Sequence, residues 1–125
     1  MGIKYHAAPD IERIARDIVA SLAMHHDFSR ITFLRSTGSQ SRRTIARCHA
    51  LPRVMQAALA CKGHYAIEVI AERFDPLSEE ERLKTVIHEL LHVPKSMGGG
   101  FRHHDYACEK NIGALYRQYR AKKAS

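Results

Sequence analysis

The spacing of apolar side chains predicts three helices in this chain. Apolar residues recur every three or four positions over about residues 9–25, and again over residues 79–93. A rougher apolar stripe of the same period covers residues 105–121. Because each stripe must be buried against another element, the remaining segments should provide a partner surface for the helices.

Three further segments are rich in β-branched and aromatic residues, and they predict strands at about residues 31–35, 44–49 and 64–71. Residues 51–60 are ambiguous, since the apolar side chains after their proline could face a core from a short helix. This order of elements predicts an α+β fold, in which a small and mainly antiparallel sheet packs against the helices.

The helix over residues 79–93 has its own start and stop signals. Ser78 can cap its N-terminus with Glu81 reaching back to it, and the carboxylates of the first turn suit the positive end of the helix dipole. Pro94 ends the helix, because the residue before a proline is disfavoured in the α region. The last two turns contain His-Glu-Leu-Leu-His at residues 88–92.

This motif predicts a hydrolytic zinc site. His88 and His92 are four residues apart, so on a helix their imidazoles lie one turn apart on the same face. Two neutral imidazoles in that arrangement can bind one Zn²⁺ and leave coordination positions open. Glu89 lies to the side of that axis, where it can act as general base toward a water activated by zinc.

A third ligand is expected after the glycine run at residues 98–100, which can turn the chain back toward the metal. We expect His104 in this role, with the neighbouring His103 as the alternative. The spacing typical of metzincins is not met, because Gly98 occupies the position six residues after the second histidine. A glutamate from the following helix, as in the thermolysin type, would have to be Glu109.

The neighbours of these histidines could support the reaction. Asp105 can orient a ligand imidazole, or it can instead cap the helix that follows. Arg102, His103 and Tyr106 are candidates to donate a hydrogen bond to the oxyanion of the transition state. The ring of Tyr106 could also pack on the start of the last helix.

Two elements of the chain resemble a known family. His-Glu-Leu-Leu-His-Val-Pro at residues 88–94 and His-Asp-Tyr at residues 104–106 are similar to motifs of small zinc metallopeptidases described from archaea and phages. The similarity extends over about residues 42–106, with a weaker match in the N-terminal helix. It implies a minimal zincin-like fold and a catalytic role for Glu89. It also implies a zinc ion with three histidine ligands, namely His88, His92 and His104.

Length and composition limit the class of protein. With 125 residues, of which 45% are hydrophobic, the chain is expected to form one zincin-like domain over residues 1–125. No apolar run approaches the roughly 20 residues that a membrane span needs, and charges interrupt the N-terminal region where a signal peptide would be apolar. Three cysteines without a paired motif suit a reducing compartment, so we expect a cytoplasmic protein.

The formal net charge of +7 is concentrated in two basic clusters. One surrounds the polar loop over residues 36–41, and the other lies toward the C-terminal end. Such clusters either form a solvated basic face or attract polyanions such as nucleic acid. The two clusters consist of Arg35, Arg42, Arg43 and Arg47, and of Arg117, Arg120, Lys122 and Lys123.

Three functions are compatible with these features. The first is a zinc-dependent peptidase, whose peptide substrate could pair with residues 64–70 if that strand lies at a sheet edge rather than in the interior. The second is a metal-dependent nuclease, because the chain is basic. The third is a binding module in which zinc only stabilises the fold. Glu89 argues against the third, since a structural site has no use for a base.

Overall fold

A mixed four-stranded sheet backs the helices of the computed structural model, which describes residues 2–94, 97–98 and 109–124. The strands are β1 (Lys4–Ala7), β2 (Ile31–Thr37), β3 (Ala46–Ala50) and β4 (Tyr65–Ile70). Their order in the sheet is β1-β2-β4-β3; the β2–β4 pair is parallel and the other two pairs are antiparallel. The predicted α+β fold with a mainly antiparallel sheet is therefore confirmed, with β1 as an additional strand.

Five α-helices lie within the described residues. They are α1 (Pro9–Ser21), α2 (Arg53–Leu59), α3 (Ala71–Phe74), α4 (Glu79–His92) and α5 (Glu109–Ala124). The start of α4 is capped as predicted, because the Ser78 hydroxyl accepts a hydrogen bond from the Glu81 amide at 3.2 Å. Within the described ranges, no helix combines the length and the apolar character needed to cross a bilayer.

The ambiguous segment over residues 51–60 contains a helix whose apolar side chains are exposed. Val54, Met55 and Leu59 of α2 lie on the surface, with Val54 73% accessible. The helix is held instead by Gln56, whose side-chain amide donates to the carbonyls of Leu51 at 2.9 Å and Gly98 at 3.3 Å. The short helix considered for this segment is therefore present, but its apolar side chains do not face a core.

β4 is an interior strand, and β3 lies at the edge of the sheet. β4 pairs with β2 on one side and β3 on the other, and all of its residues except Ala66 are buried. Strands covered on both faces are nearly continuous in apolar character. Along β3, exposed Arg47 and His49 alternate with half-buried residues, which is typical of an edge strand. Residues 64–70 are therefore not the edge, and β3 takes that position.

The hydrophobic core lies between one face of the sheet and helices α1 and α4. Alternate residues of β2 and β4 point into it, because successive side chains of a strand face opposite sides. The apolar stripe of α4 packs on the same core, which leaves the opposite face of this helix for the histidines. The core side chains of α4 are Leu83, Val86, Ile87, Leu90 and Leu91.

Candidate metal centre

His88 and His92 converge on one point at the C-terminal end of α4. Their Nε2 atoms are 3.1 Å apart, and the ring centroids are 4.8 Å apart with the ring planes at 70°. Both side chains are half-buried, on the side of the helix that faces away from its apolar stripe. The four-residue spacing therefore places the two nitrogens together, as helix geometry predicts.

This pair fits a zinc ion. Two nitrogens that bind one zinc ion at about 2.05 Å with a tetrahedral angle would lie about 3.3 Å apart. The observed separation of 3.1 Å is within a few tenths of an ångström of that value. Neutral imidazole nitrogens are also among the ligands that zinc prefers in proteins. The two side chains are therefore placed to bind one ion with little rearrangement.

Glu89 is a buried carboxyl beside this pair. Only 6% of the residue is exposed, and burial raises the pKa of its side chain to about 7. Burial disfavours the ionised carboxylate because low-dielectric surroundings solvate a charge poorly. A carboxyl with this pKa can both accept and release a proton near neutral pH, which is the property required of a general acid and base.

The edge strand β3 runs beside Glu89. Burial raises the pKa of the Cys48 thiol to about 12, and the negative charge of Glu89 contributes to that increase. The side chain of Cys48 therefore faces the side of α4 that carries Glu89, and β3 packs against this helix. A thiol with so high a pKa stays protonated, and it acts here as a small packing side chain rather than as a nucleophile.

On the opposite face of the sheet, His49 anchors the same strand. Its Nε2 lies 2.8 Å from Oε1 of Glu68, a β4 residue that is 1% exposed. Burial alone would raise the pKa of Glu68, but contacts with Ser36 and His49 outweigh burial and hold that pKa below its ordinary value. The ionised Glu68 therefore ties the edge strand to the interior of the sheet.

A cleft of about 520 Å³ opens at His88 and Glu89. This volume is within the range of sites that bind small ligands or a few residues of a peptide. One wall is the segment that leads into β3, the floor is the polar face of α4, and the far wall is α5. The lining includes residues 43–46, Glu81, Lys84 and Thr85 of α4, and Ile112 and Gly113 of α5.

The α5 wall is fastened to α1 through Tyr119 and Asp17. The Tyr119 hydroxyl donates to a carboxylate oxygen of Asp17 at 2.5 Å, and Lys123 forms an ion pair with the same carboxylate at 3.0 Å. Burial and this hydrogen bond raise the pKa of Tyr119 to about 12, while the hydrogen bonds from Tyr119 and Lys123 lower the pKa of Asp17. The cleft therefore has a wall that is fixed by a charge-assisted hydrogen bond.

The predicted third ligand lies outside the described residues. The same is true of the other side chains expected near it. Within residues 2–94, 97–98 and 111–124, no group of three His, Cys, Asp or Glu side chains is arranged to hold a metal ion. Two of the three predicted ligands, His88 and His92, and the predicted general base Glu89 therefore lie within the described residues. The residues outside the description are Arg102, His103, His104, Asp105 and Tyr106, together with the side chain of Glu109.

Comparison with known families identifies the wider group. Residues 3–123 match the sequence model of a family described as "putative phage metallopeptidase". The chain belongs to this family. No curated protein and no solved structure matches it. Membership confirms the family resemblance, including the weaker match in the N-terminal helix, and extends it to α5. The description of the family indicates a metal-dependent peptidase.

In this member of the family, several charges of the two basic clusters are paired within the fold. Arg35 bonds to the carboxylates of Asp10 at 2.9 Å and Asp75 at 3.2 Å. In the C-terminal cluster, Arg120 lies 3.1 Å from Glu79, and Lys123 pairs with Asp17. These side chains therefore join helices to their neighbours. Within the described part of the chain, Arg42, Arg43 and Arg47 are the exposed members of the first cluster.

Most of the residues that line the cleft are not among those predicted from the sequence. The spacing of α4 could have indicated Glu81, Lys84 and Thr85, because residues three, four and seven positions before His88 share its helix face. Residues 43–46 and the α5 wall carry no comparable signal. They reach the cleft through the strand order and the packing of α5, which a linear pattern does not specify.

Proposed function

We propose that this protein is a zinc-dependent peptidase with a three-histidine site. His88 and His92 are the ligands from α4, His104 is the third ligand, and Glu89 is the general base. The 3.1 Å separation of the two Nε2 atoms beside a buried carboxyl is the observation that carries the proposal. Family membership supports it, and one zincin-like domain over residues 1–125 would contain the whole site.

The residues of the site divide the chemistry between them. A bound zinc ion would supply Lewis-acid chemistry, which polarises the scissile carbonyl and makes water more acidic. Glu89 accepts the proton of the attacking water and then delivers a proton to the leaving amine. Asp105 orients His104, and Tyr106 or His103 donates a hydrogen bond to the oxyanion.

The substrate is a peptide that lies along the edge of β3 that has no partner strand within the described residues. An extended peptide can pair with an edge strand through main-chain hydrogen bonds, which gives affinity with little sequence preference. The cleft opens at the start of this strand and contains His88 and Glu89. Cys48 faces Glu89 from β3, so a peptide paired there would pass close to the general base. We place this activity in the cytoplasm, where the thiols of Cys48 and Cys61 would stay reduced.

The decisive experiment compares Glu89→Gln with wild type. The variant keeps the size of the side chain but cannot accept the water's proton, so casein cleavage should fall on the order of 10²–10⁴-fold. Zinc content should stay at one ion per chain, because Glu89 is not a ligand. Glu81→Gln makes the same change on the cleft floor, about two helical turns before His88, and should leave cleavage within about two-fold of wild type.

Zinc analysis then tests the ligands separately from the activity. His88→Ala and His92→Ala should each lose most of the bound zinc, and His104→Ala should do the same. Retention of zinc by all three variants would contradict the proposed site. Equal cleavage of casein by wild type and Glu89→Gln would contradict the proposed base. RNA cleavage that is lost in Glu89→Gln would instead make the protein a nuclease.

Proximity to nucleic acid is the second part of the proposal. Arg42, Arg43 and Arg47 are exposed and, unlike Arg35, form no ion pair within 4 Å of a carboxylate in the part of the chain that is described, although the charge of Arg47 acts on Glu68 at longer range. They lie on and beside the edge strand, so a polyanion bound there would adjoin the cleft. Duplex DNA should bind more tightly than heparin at moderate salt, and replacing the three arginines by alanine should abolish the difference. Equal affinity for DNA and heparin would contradict the proposal that the protein acts near nucleic acid.

A further inference from the structure

We propose that Arg30 is a positioning residue for the metal centre. Its guanidinium fastens the segment that follows Pro94 to the start of β4, and so fixes the point from which the chain continues toward the third ligand. This inference rests on the proposed zinc site with His104 as a ligand. It assigns a function to a group of contacts that lies outside the cleft and takes no part in the chemistry.

The guanidinium of Arg30 bridges two backbone carbonyls that are far apart in sequence. Its Nε donates to the Gly63 carbonyl at 2.8 Å, and its Nη2 donates to the Met97 carbonyl at 2.6 Å. The side chain is half-buried, so these charge-assisted bonds are partly shielded from water. Arginine suits this position because its planar group presents several donors in a fixed fork, which a lysine cannot do.

Met97 is held in a conformation that it would not readily adopt alone. Its φ is +50°, in the left-handed region that side chains other than glycine seldom occupy. Its amide donates to the Pro94 carbonyl at 3.0 Å, and the residue is only 2% exposed. Burial of the side chain and the bond from Arg30 therefore stabilise this conformation of Met97.

Gly63 is fitted to the same contact. A Cβ atom at this position would lie 2.1 Å from the Met97 carbonyl oxygen, which is far inside any allowed contact. The backbone of the segment after α4 therefore packs directly on the backbone that leads into β4. Only glycine permits this approach, and Arg30 binds both carbonyls across it.

Two further contacts hold the exit from α4 on either side of Met97. His26 Nε2 lies 2.8 Å from the Leu90 carbonyl, between the two histidine ligands in sequence. The Gln56 amide donates to the Gly98 carbonyl at 3.3 Å. The backbone is thus held at Leu90, Met97 and Gly98, and His104 follows Gly98 six residues later in the sequence.

An anchored starting point matters because a metal site gains affinity when its ligands are already in place. A short stretch of chain from a fixed point restricts where its histidine can lie, so less conformational entropy is lost on binding. Groups that orient metal ligands without touching the ion typically change metal affinity by about 10–100-fold. We expect an effect of this size from Arg30.

Arg30→Met tests the inference, with Arg82→Met as its matched control. Arg82 is also half-buried and also donates to two carbonyls, those of Asp75 at 3.1 Å and Leu77 at 2.9 Å, but near the N-terminal end of α4. Zinc affinity is measured by competition with a chromogenic chelator, and the absorption bands of bound Co²⁺ report the coordination. Arg30→Met should lose about 10–100-fold in zinc affinity and alter the Co²⁺ bands, while Arg82→Met should change neither.

Unfolding of the chelator-treated proteins separates positioning from stability. Both variants lose two hydrogen bonds and should be destabilised to a similar degree, yet only Arg30→Met should bind metal differently. Arg30→Lys, which can keep one bond, provides an intermediate that still folds if the methionine variant does not. Unchanged zinc affinity and Co²⁺ bands in the folded Arg30 variants would overturn the inference. If His88→Ala binds zinc as tightly as wild type does, the proposed zinc site itself is wrong.

Discussion

Burial of Glu89 should make the metal-free protein less stable as the pH rises. The ordinary pKa of a glutamate side chain is 4.5, and burial raises the pKa of Glu89 to about 7 in the folded state. Between these two values the folded chain holds a proton that the unfolded chain releases. The free energy of unfolding therefore falls as the pH rises from 4.5 to 7, and it levels off above that.

The size of the effect follows from the difference of about 2.5 between the two pKa values. Each unit corresponds to about 1.4 kcal/mol, so an ionised Glu89 costs the fold about 3 kcal/mol at pH 8. Glu89→Gln keeps the shape of the side chain but has no charge at any pH. It should therefore match wild type near pH 4.5 and exceed the stability of wild type by up to about 3 kcal/mol at pH 8.

Urea denaturation after treatment with a chelator measures this difference between pH 4.5 and 8.5. Comparing the two proteins at each pH cancels the contribution of the histidines to the pH dependence of stability, because both proteins contain the same histidines. Glu81→Gln serves as the control, because Glu81 is exposed and its removal should leave the pH profile unchanged. A constant difference between wild type and Glu89→Gln across this range would refute the argument from burial.

Two other predictions concern the walls of the cleft. Tyr119→Phe removes the hydrogen bond to Asp17 and should lower the free energy of unfolding by about 1.5–3 kcal/mol at pH 7. Because that bond lowers the pKa of Asp17, this loss of stability should shrink as the pH falls below about 4. Urea denaturation of both proteins at each pH measures the difference. Iodoacetamide at pH 8 should modify exposed Cys61 at least about 100-fold faster than Cys48, whose pKa is about 12. Mass spectrometry of the two peptides measures both rates, and equal rates would contradict the placement of Cys48 against Glu89.

The features that the sequence predicted well are those specified by neighbouring residues. α4 begins at a side-chain cap on Ser78 and ends just before Pro94, so its bounds depend on local geometry. Within that helix, the four-residue spacing alone brings His88 and His92 together. For the same reason, Glu89 could be assigned a position beside them without knowledge of the rest of the fold.

The features that could not be predicted depend on which segments meet across the sheet. β1 is exposed along its whole length and has no apolar alternation, so its pairing with β2 defines it. The interior place of β4 and the edge place of β3 follow from strand order, which neither strand encodes by itself. Cys48 and Glu89 come together for this reason, although 41 positions separate them in the chain.

The buried carboxyl of Glu89 opposes folding above its pKa as long as no cation is bound nearby. An ionised carboxylate in a buried position is unfavourable without a positive charge close to it, whereas the two imidazole nitrogens 3.1 Å apart are within hydrogen-bond distance of each other. A zinc ion would favour the ionised form of Glu89, and two ligand bonds would replace the contact between the imidazoles. Metal binding should therefore raise the stability of wild type more at pH 8 than at pH 5, and by less in Glu89→Gln, which links the chemistry of the site to the folding of the chain.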